Sequence, residues 1–181
     1  MAVDAHDSAL LRQFLDPDTK ETGFTAIVAK YQERLYGHIR RLVIEHEDAN
    51  DILQNVFIKV WNSLDGFKMQ SQLYTWLYRI ATNECLSFLE QKRKKATQSL
   101  EGEKSIALLK ADGYFDPAKL EWKLQLAIQQ LPEKQRIVFN LRYFDGMPYQ
   151  KMSLILDTSE GSLKASYHHA VKKIEEYLLS H

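Results

Sequence analysis

Six polar or basic side chains share one side of a predicted helix near the end of the chain, and their chemistry suits contact with DNA. With Leu163 as reference and about 100° per residue, the apolar residues of this segment form a single stripe that is predicted to be core. The remaining surface carries Ser162, Lys164, Ser166, His168, His169 and Lys172. Hydroxyl, imidazole and ammonium groups can hydrogen-bond to base edges and contact phosphates. We therefore predict a DNA-binding face, with an ordinary solvated helix face as the alternative.

The segment from Leu131 to Leu178 contains the elements that would position this face. Two apolar-periodic stretches in it are separated only by Asp157, Thr158 and Ser159. Ser159 is predicted to cap a helix that begins near Glu160, and Asp157 to take the positive-φ position of the turn. Two helices joined by so few residues cross steeply, which is typical of a helix-turn-helix with its second helix in the major groove.

A second group with nucleic-acid chemistry lies in the middle of the chain. With Leu73 as reference, Trp76, Arg79 and Asn83 align on one stripe of a predicted helix. Unpaired bases stack on aromatic rings while basic side chains follow the phosphates, so this stripe is predicted to bind single-stranded DNA. The alternative is that such rings are simply core. The run Lys92 to Lys95 fits equally a DNA role or a solvated helix end.

A third surface is predicted to bind a protein partner. In the helix after Asp48, the side opposite the apolar stripe carries Asp51, Gln54, Asn55 and Ile58. An isoleucine surrounded by an acid and amides suits docking, although a single exposed apolar side chain is also normal.

Composition excludes several classes of function. Twenty-four basic and 24 acidic residues give a net charge of zero, and neither half of the chain has a basic excess, so we expect tight DNA binding to require a partner that supplies positive surface. The single cysteine, Cys85, excludes an internal disulfide or a multi-cysteine zinc site, and the six histidines lack ligand spacing. We expect no catalytic residue, no metal and no cofactor. The lack of a signal segment or long apolar run predicts a cytoplasmic protein without membrane insertion.

Apolar periods near 3.6 throughout predict an all-α fold of two small helical domains joined by a flexible linker. The expected helices cover Ser8 to Leu15, a segment from Phe24 to Leu42, Asp48 to Leu64, and Leu73 to about Lys92. Residues 1–95 are assigned to the first domain, 96–115 to the linker and 116–181 to the second.

Three motifs, in order, resemble the alternative sigma factors of bacterial RNA polymerase, in particular the small extracytoplasmic-function group with two domains. DANDILQNVFIKVWNSLDGF resembles the polymerase-binding helix of sigma domain 2, and YTWLYRIATNECLSFL resembles its promoter-melting helix. LPEKQRIVFNLRYFDGMPYQKMSLILDTSEGSLKAS resembles sigma domain 4. The resemblance covers most of the chain and implies a protein that directs core polymerase to promoters.

The resemblance also implies roles for the three surfaces. Asp51, Gln54, Asn55 and Ile58 would dock on the clamp helices of the largest polymerase subunit, and domain 4 would touch the flap. The loop from Gly66 to Gln72, with Asn83, would hold a flipped base of the −10 element, and Trp76 would lie near the melted junction. The helix from Glu160 would read the −35 element. Control by an anti-sigma factor is expected from the absence of other domains.

Some positions depart from the family pattern. Acid is common where Asn55 stands, and arginines are common where Ser166, His169 and Val171 stand. Since each bidentate arginine–guanine contact provides about 1–3 kcal/mol of discrimination, we predict a promoter element unlike the usual consensus.

Three other classes compete with this interpretation. A response-regulator or quorum-type transcription factor would need alternating strands and helices in its partner domain, which the first half lacks. An enzyme would need a phosphate loop, metal spacing or a paired base, and none is present. A polymerase-associated regulator without promoter specificity would be distinguished from a sigma factor by transcription assays.

Overall fold

The computed structural model describes residues 5–68, 71–96 and 120–180, and these form eight α-helices without a β-strand. They are α1 (Ala5–Leu15), α2 (Lys20–Val43), α3 (His46–Ser63), α4 (Leu73–Ala96), α5 (Leu120–Gln129), α6 (Glu133–Tyr143), α7 (Tyr149–Leu156) and α8 (Glu160–Ser180). One 3-10 turn, Leu64–Gly66, follows α3. The all-α prediction is confirmed, and each helix predicted in the first half is present. Apart from Ala96, the predicted linker lies outside the described residues.

Helices α1 to α4 pack around an apolar core. Ile27, Leu35, Val56 and Leu77 are fully buried in it. Helices α1 and α2 approach so closely at Gly23 that an added Cβ would lie 2.5 Å from the backbone nitrogen of Phe14. A glycine is therefore required for this contact.

The second half forms the predicted helix-turn-helix from α7 and α8. Asp157 adopts a left-handed conformation with φ 49° and ψ 48°, as predicted for the turn. The Ser159 hydroxyl oxygen accepts a 3.3 Å hydrogen bond from the backbone N–H of Ser162. This is the predicted N-cap, which satisfies one of the free donors in the first turn of α8. A separate cluster with Ile128, Phe139 and Ala170 braces α8 against α5 and α6.

The two halves of the chain share one continuous core, which the sequence did not predict. The main apolar cluster of α1 to α4 also includes side chains from the second half, namely Ile137, Val138, Leu141, Met147, Met152, Ile155 and Leu163. Helix α7 packs on α4, and α6 contacts α2. The helix-turn-helix therefore lies directly on the first four helices.

Candidate nucleic-acid and polymerase-binding surfaces

Five of the six residues predicted to contact DNA on α8 lie on the side away from its core stripe, and Ser166 lies at the edge of that stripe. We call them the reading face: Ser162, Lys164, Ser166, His168, His169 and Lys172. All are exposed except Ser166, which is half-buried. Leu163, Ala170 and Ile174 on the opposite side are buried. The helix is thus held by its apolar stripe while its polar side chains remain on the surface.

Contacts within the reading face set its shape. The imidazole rings of His168 and His169 lie 6.0 Å apart, centroid to centroid, and diverge as expected for adjacent helical residues. The Lys164 ammonium lies 5.7 Å from the centre of the Tyr149 ring, which joins the reading face to α7. The Ser159 hydroxyl donates to the Ser162 hydroxyl at 2.9 Å, so Ser162 serves the cap as well as the surface.

A cleft of about 390 Å³ lies beside the N-terminal half of α4. Its walls come from the loop after α3, from α4 and from α7: Gly66, Phe67, Lys68, Ser71, Thr75, Trp76, Arg79 and Leu154. Two of the three predicted α4 residues, Trp76 and Arg79, therefore line one cleft. Asn83 is exposed one turn further along α4 and does not line it.

The cleft contains chemistry suited to a base and a phosphate. The Trp76 ring packs on Phe67 with centroids 5.1 Å apart and is half-buried, which leaves part of the indole at the surface. Arg79 is exposed on the same wall. Thr75 and Leu154 could not be predicted from the sequence as parts of this cleft, because Thr75 is a buried residue among aromatics and Leu154 comes from a helix distant in sequence.

The predicted partner surface on α3 is exposed in full. Asp51, Gln54, Asn55 and Ile58 form what we call the docking face, and Ile58 is 52% exposed. Ile52, Val56 and Val60 on the other side of α3 are buried. The predicted division of α3 into a core side and an outward side agrees with the structure.

Lys92, on α4, forms ion pairs with residues at the start of α3. Its ammonium contacts Glu45 and, at 3.1 Å, Asp48, next to and within the first turn of α3. Burial by itself would lower the pKa of Lys92, but the two carboxylates outweigh it and the pKa is raised. Lys92 therefore stays charged and engaged in ion pairs, which favours a structural role for it over phosphate binding.

Cys85, the single thiol of the chain, lies in the core. Burial raises the pKa of the Cys85 thiol, which is fully buried, so this cysteine behaves as a small apolar residue. Among the described residues, no cluster of histidine, cysteine and acidic side chains could hold a metal ion. In the same residues, no helix has the length and apolar character needed to cross a membrane.

A capped helix-turn-helix with a polar outer face, packed on other helices, is typical of an all-helical DNA-binding protein. Comparison with known families is more specific: residues 27–95 match sigma-70 region 2, and residues 121–174 match sigma-70 region 4. Together the two matches cover more than half of the chain. The chain therefore belongs to the sigma-70 family, in the extracytoplasmic-function group, and is an alternative sigma factor that directs promoter-specific transcription initiation.

Curated relatives are similar over almost their whole length. RNA polymerase sigma-H factor of Pseudomonas aeruginosa is 28% identical, with 98% of this chain and 96% of that protein covered. ECF RNA polymerase sigma-E factor of Escherichia coli K12 is 29% identical, with 97% of this chain and 95% of that protein covered. The family is one of transcription regulators.

Solved structures confirm the fold. CnrH in complex with the cytosolic domain of CnrY has a TM-score of 0.71 at 21% identity and covers 96% of this chain and 97% of its own. The sigma factor RpoE of Bartonella quintana, in complex with the anti-sigma factor NepR, has a TM-score of 0.66 at 23% identity and covers 86% and 96%.

Proposed function

We propose that this sigma factor binds core RNA polymerase through the docking face, reads the −35 element with the reading face and opens the −10 element at the α4 cleft. Residues 1–95 would form the polymerase-binding and melting domain, residues 96–115 a linker, and residues 116–181 the −35 domain. The observation that carries the proposal is that one chain exposes three chemically distinct surfaces on three helices, α3, α4 and α8.

The docking face would provide the main contact with the clamp helices of the largest polymerase subunit. Ile58 is the apolar centre of this surface, and Asp51, Gln54 and Asn55 provide a polar rim. An apolar anchor inside a polar rim is the usual arrangement of a protein interface. The −35 domain would make a second contact with the polymerase flap.

The α4 cleft would capture bases as the −10 element opens. One side of the Trp76 ring is supported by Phe67, so the exposed part of the indole can stack on an unpaired base. Arg79 would follow the phosphates, and Asn83 would contact the strand as it leaves the cleft. Flipping a base out of the duplex costs a few kcal/mol, which stacking of roughly 1–3 kcal/mol per base and the cleft contacts would offset.

The reading face would select the −35 element. Lys164 and Lys172 are suited to phosphates, and the serines and histidines to base edges. With a net charge of zero, the chain alone would bind duplex DNA weakly, and polymerase would supply the remaining attraction. With Ser166, His169 and Val171 at positions where arginine is common, the preferred −35 element would differ from the usual consensus. No step requires covalent chemistry by this chain.

An anti-sigma factor would bind and control the protein, a proposal supported by its likeness to the sigma factor RpoE of Bartonella quintana, which was solved in complex with the anti-sigma factor NepR. The chain would act in the cytoplasm, where polymerase and promoters are located.

Run-off transcription from a promoter pool, with core polymerase and with or without the chain, tests the proposal. Promoter-selective transcripts that depend on the chain are expected, together with enrichment of a −35 sequence unlike the usual consensus. Core binding without any transcript would instead identify a regulator that lacks promoter specificity. Absence of core binding would overturn the proposal.

A further inference from the structure

A buried carboxylate joins the two halves of the molecule. Asp145 lies in the turn between α6 and α7, and its side chain is only 9% exposed. The guanidinium of Arg41, on α2, donates a 2.8 Å hydrogen bond to Asp145 Oδ1, and the Tyr78 hydroxyl, on α4, donates one of 3.3 Å to the same oxygen. Nδ1 of His38, on α2, lies 3.3 Å from Oδ2. One side chain of the second half thus contacts three side chains of the first.

The surroundings of Asp145 fix this geometry. Gly146 has φ +60°, which turns the chain sharply after α6. The Arg41 guanidinium also lies 4.8 Å from the centre of the Phe144 ring. Burial and then the negative charge of Asp145 raise the pKa of Tyr78, so its phenol remains protonated and able to donate. A buried carboxylate is tolerated only where such partners surround it, so this arrangement favours one particular packing of the two halves.

The same packing makes α7 part of the wall of the α4 cleft. Leu154, on α7, forms part of the cleft wall together with Trp76 and Arg79. The ammonium of Lys151, one turn earlier on α7, lies 5.5 Å from the centre of the Tyr74 ring on α4. DNA entering the cleft would therefore compete with α7 for the same surface of α4.

The packing also restricts the reading face. Ser162 and Ser166 line a groove of about 350 Å³ to which α4 contributes Leu86. A recognition helix enters a major groove about 12 Å wide, with a phosphate strand on each side of it. Leu86 of α4 therefore lies beside the side chains that would face such a strand at the start of α8.

We propose that Asp145 is a latch that holds the free protein in a closed form, in which α7 forms one wall of the α4 cleft and α4 lies beside the start of the reading face. Opening breaks the contacts of Asp145 with Arg41, Tyr78 and His38, separates the apolar core that the two halves share, and moves both DNA surfaces apart from their neighbours. The latch itself is inferred from the contacts of Asp145 with Arg41, Tyr78 and His38. Its inhibitory effect rests on the proposed function of the cleft.

The test compares the full chain with its Asp145→Asn and Arg41→Gln variants. Small-angle scattering gives the radius of gyration, for which a single compact body of this length is expected at about 16 Å. Circular dichroism confirms that each variant keeps its helices. Asp16→Asn is the matched control, because Asp16 is exposed in the turn between α1 and α2 and accepts a 3.1 Å hydrogen bond from the Asp18 N–H.

Both latch variants are expected to retain their helices but to show a radius of gyration larger by several ångströms, while the control is unchanged. Affinity for a fluorescent single-stranded −10 oligonucleotide, taken from the promoter selected in the run-off assay, is expected to rise by about 10- to 100-fold. This corresponds to the loss of one hydrogen bond to a charged group.

An unchanged radius in both variants would overturn the latch. A larger radius together with unchanged oligonucleotide binding would overturn its inhibitory effect. A larger radius with no oligonucleotide binding by any form, including the wild type, would support the latch and count against the proposed function of the cleft. The failure of one proposal is thereby distinguished from the failure of the other.

Discussion

Replacing Trp76 by alanine should slow promoter opening much more than it weakens promoter binding. Trp76 is half-buried, and one side of its ring is occupied by Phe67 at 5.1 Å. Only the rest of the indole is available, so we expect it to stack on a single base. A stacked base contributes about 1–3 kcal/mol, which corresponds to about a 5- to 150-fold loss in the open-complex equilibrium.

Permanganate reactivity of thymines in the −10 element, measured with reconstituted holoenzyme, reports this loss directly. Trp76→Phe keeps a ring against Phe67 and should give an intermediate effect. Binding of the holoenzyme to a duplex that ends upstream of the −10 element should change by less than about twofold, since that step depends on α8. A Trp76→Ala holoenzyme that opens the promoter like the wild type would refute this assignment, and equal losses in both assays would indicate general unfolding instead.

Three further predictions concern single residues of the first half: Gly23, Ile58 and Lys92. Gly23→Ala should lower the free energy of unfolding by about 1–3 kcal/mol, because the new Cβ would lie 2.5 Å from a backbone atom. Gly161→Ala is the control: a Cβ there has nothing within 4 Å, so this change should raise the free energy of unfolding by about 0.4–1 kcal/mol. Equal urea midpoints for the two variants would contradict the packing argument. Ile58→Glu should weaken core polymerase binding by about tenfold or more. Leu15→Glu is the control and should not weaken it, because Leu15 (51% exposed) is as accessible as Ile58 (52% exposed) but does not lie on the docking face. Similar losses of polymerase binding for the two variants in a pull-down titration would count against the docking face. The raised pKa of Lys92 means that its ion pairs stabilise the fold fully below the unfolded value of 10.5 and lose this effect as pH rises through the higher folded value. The difference in unfolding free energy between wild type and Lys92→Gln should therefore shrink above about pH 10.5, and a constant difference would show that the charge is not responsible.

Local features of this chain could be predicted from the sequence because they depend on neighbouring residues. Helix periodicity, the Ser159 cap and the left-handed Asp157 each involve only a few adjacent positions, and all three are present as predicted. The outward orientation of the docking face follows from the same periodicity. The resemblance to sigma factors, carried by three motifs, is confirmed by the family matches.

The relation between the two halves could not be predicted in this way. Asp145-Gly146 indicates the end of a helix, and nothing near it in sequence shows that the carboxylate reaches Arg41, 104 positions away. The contribution of Leu154 to the α4 cleft depends on the same long-range packing. Asn83 shares a helical stripe with Trp76 and Arg79 and was therefore predicted to act with them, but a stripe runs the length of a helix and the cleft covers only part of it.

Cys85 gives this molecule a built-in chemical probe. It is the only cysteine of the chain, it is fully buried among the core residues of α4, and its burial raises the pKa of the thiol. A thiol reagent can therefore modify it only during moments when the surrounding helices separate, and the modification rate measures how often they do so. Since no second thiol contributes to the signal, the same unaltered protein can be followed alone, on polymerase and on a promoter, and the three rates would report how strongly each partner holds the first four helices together.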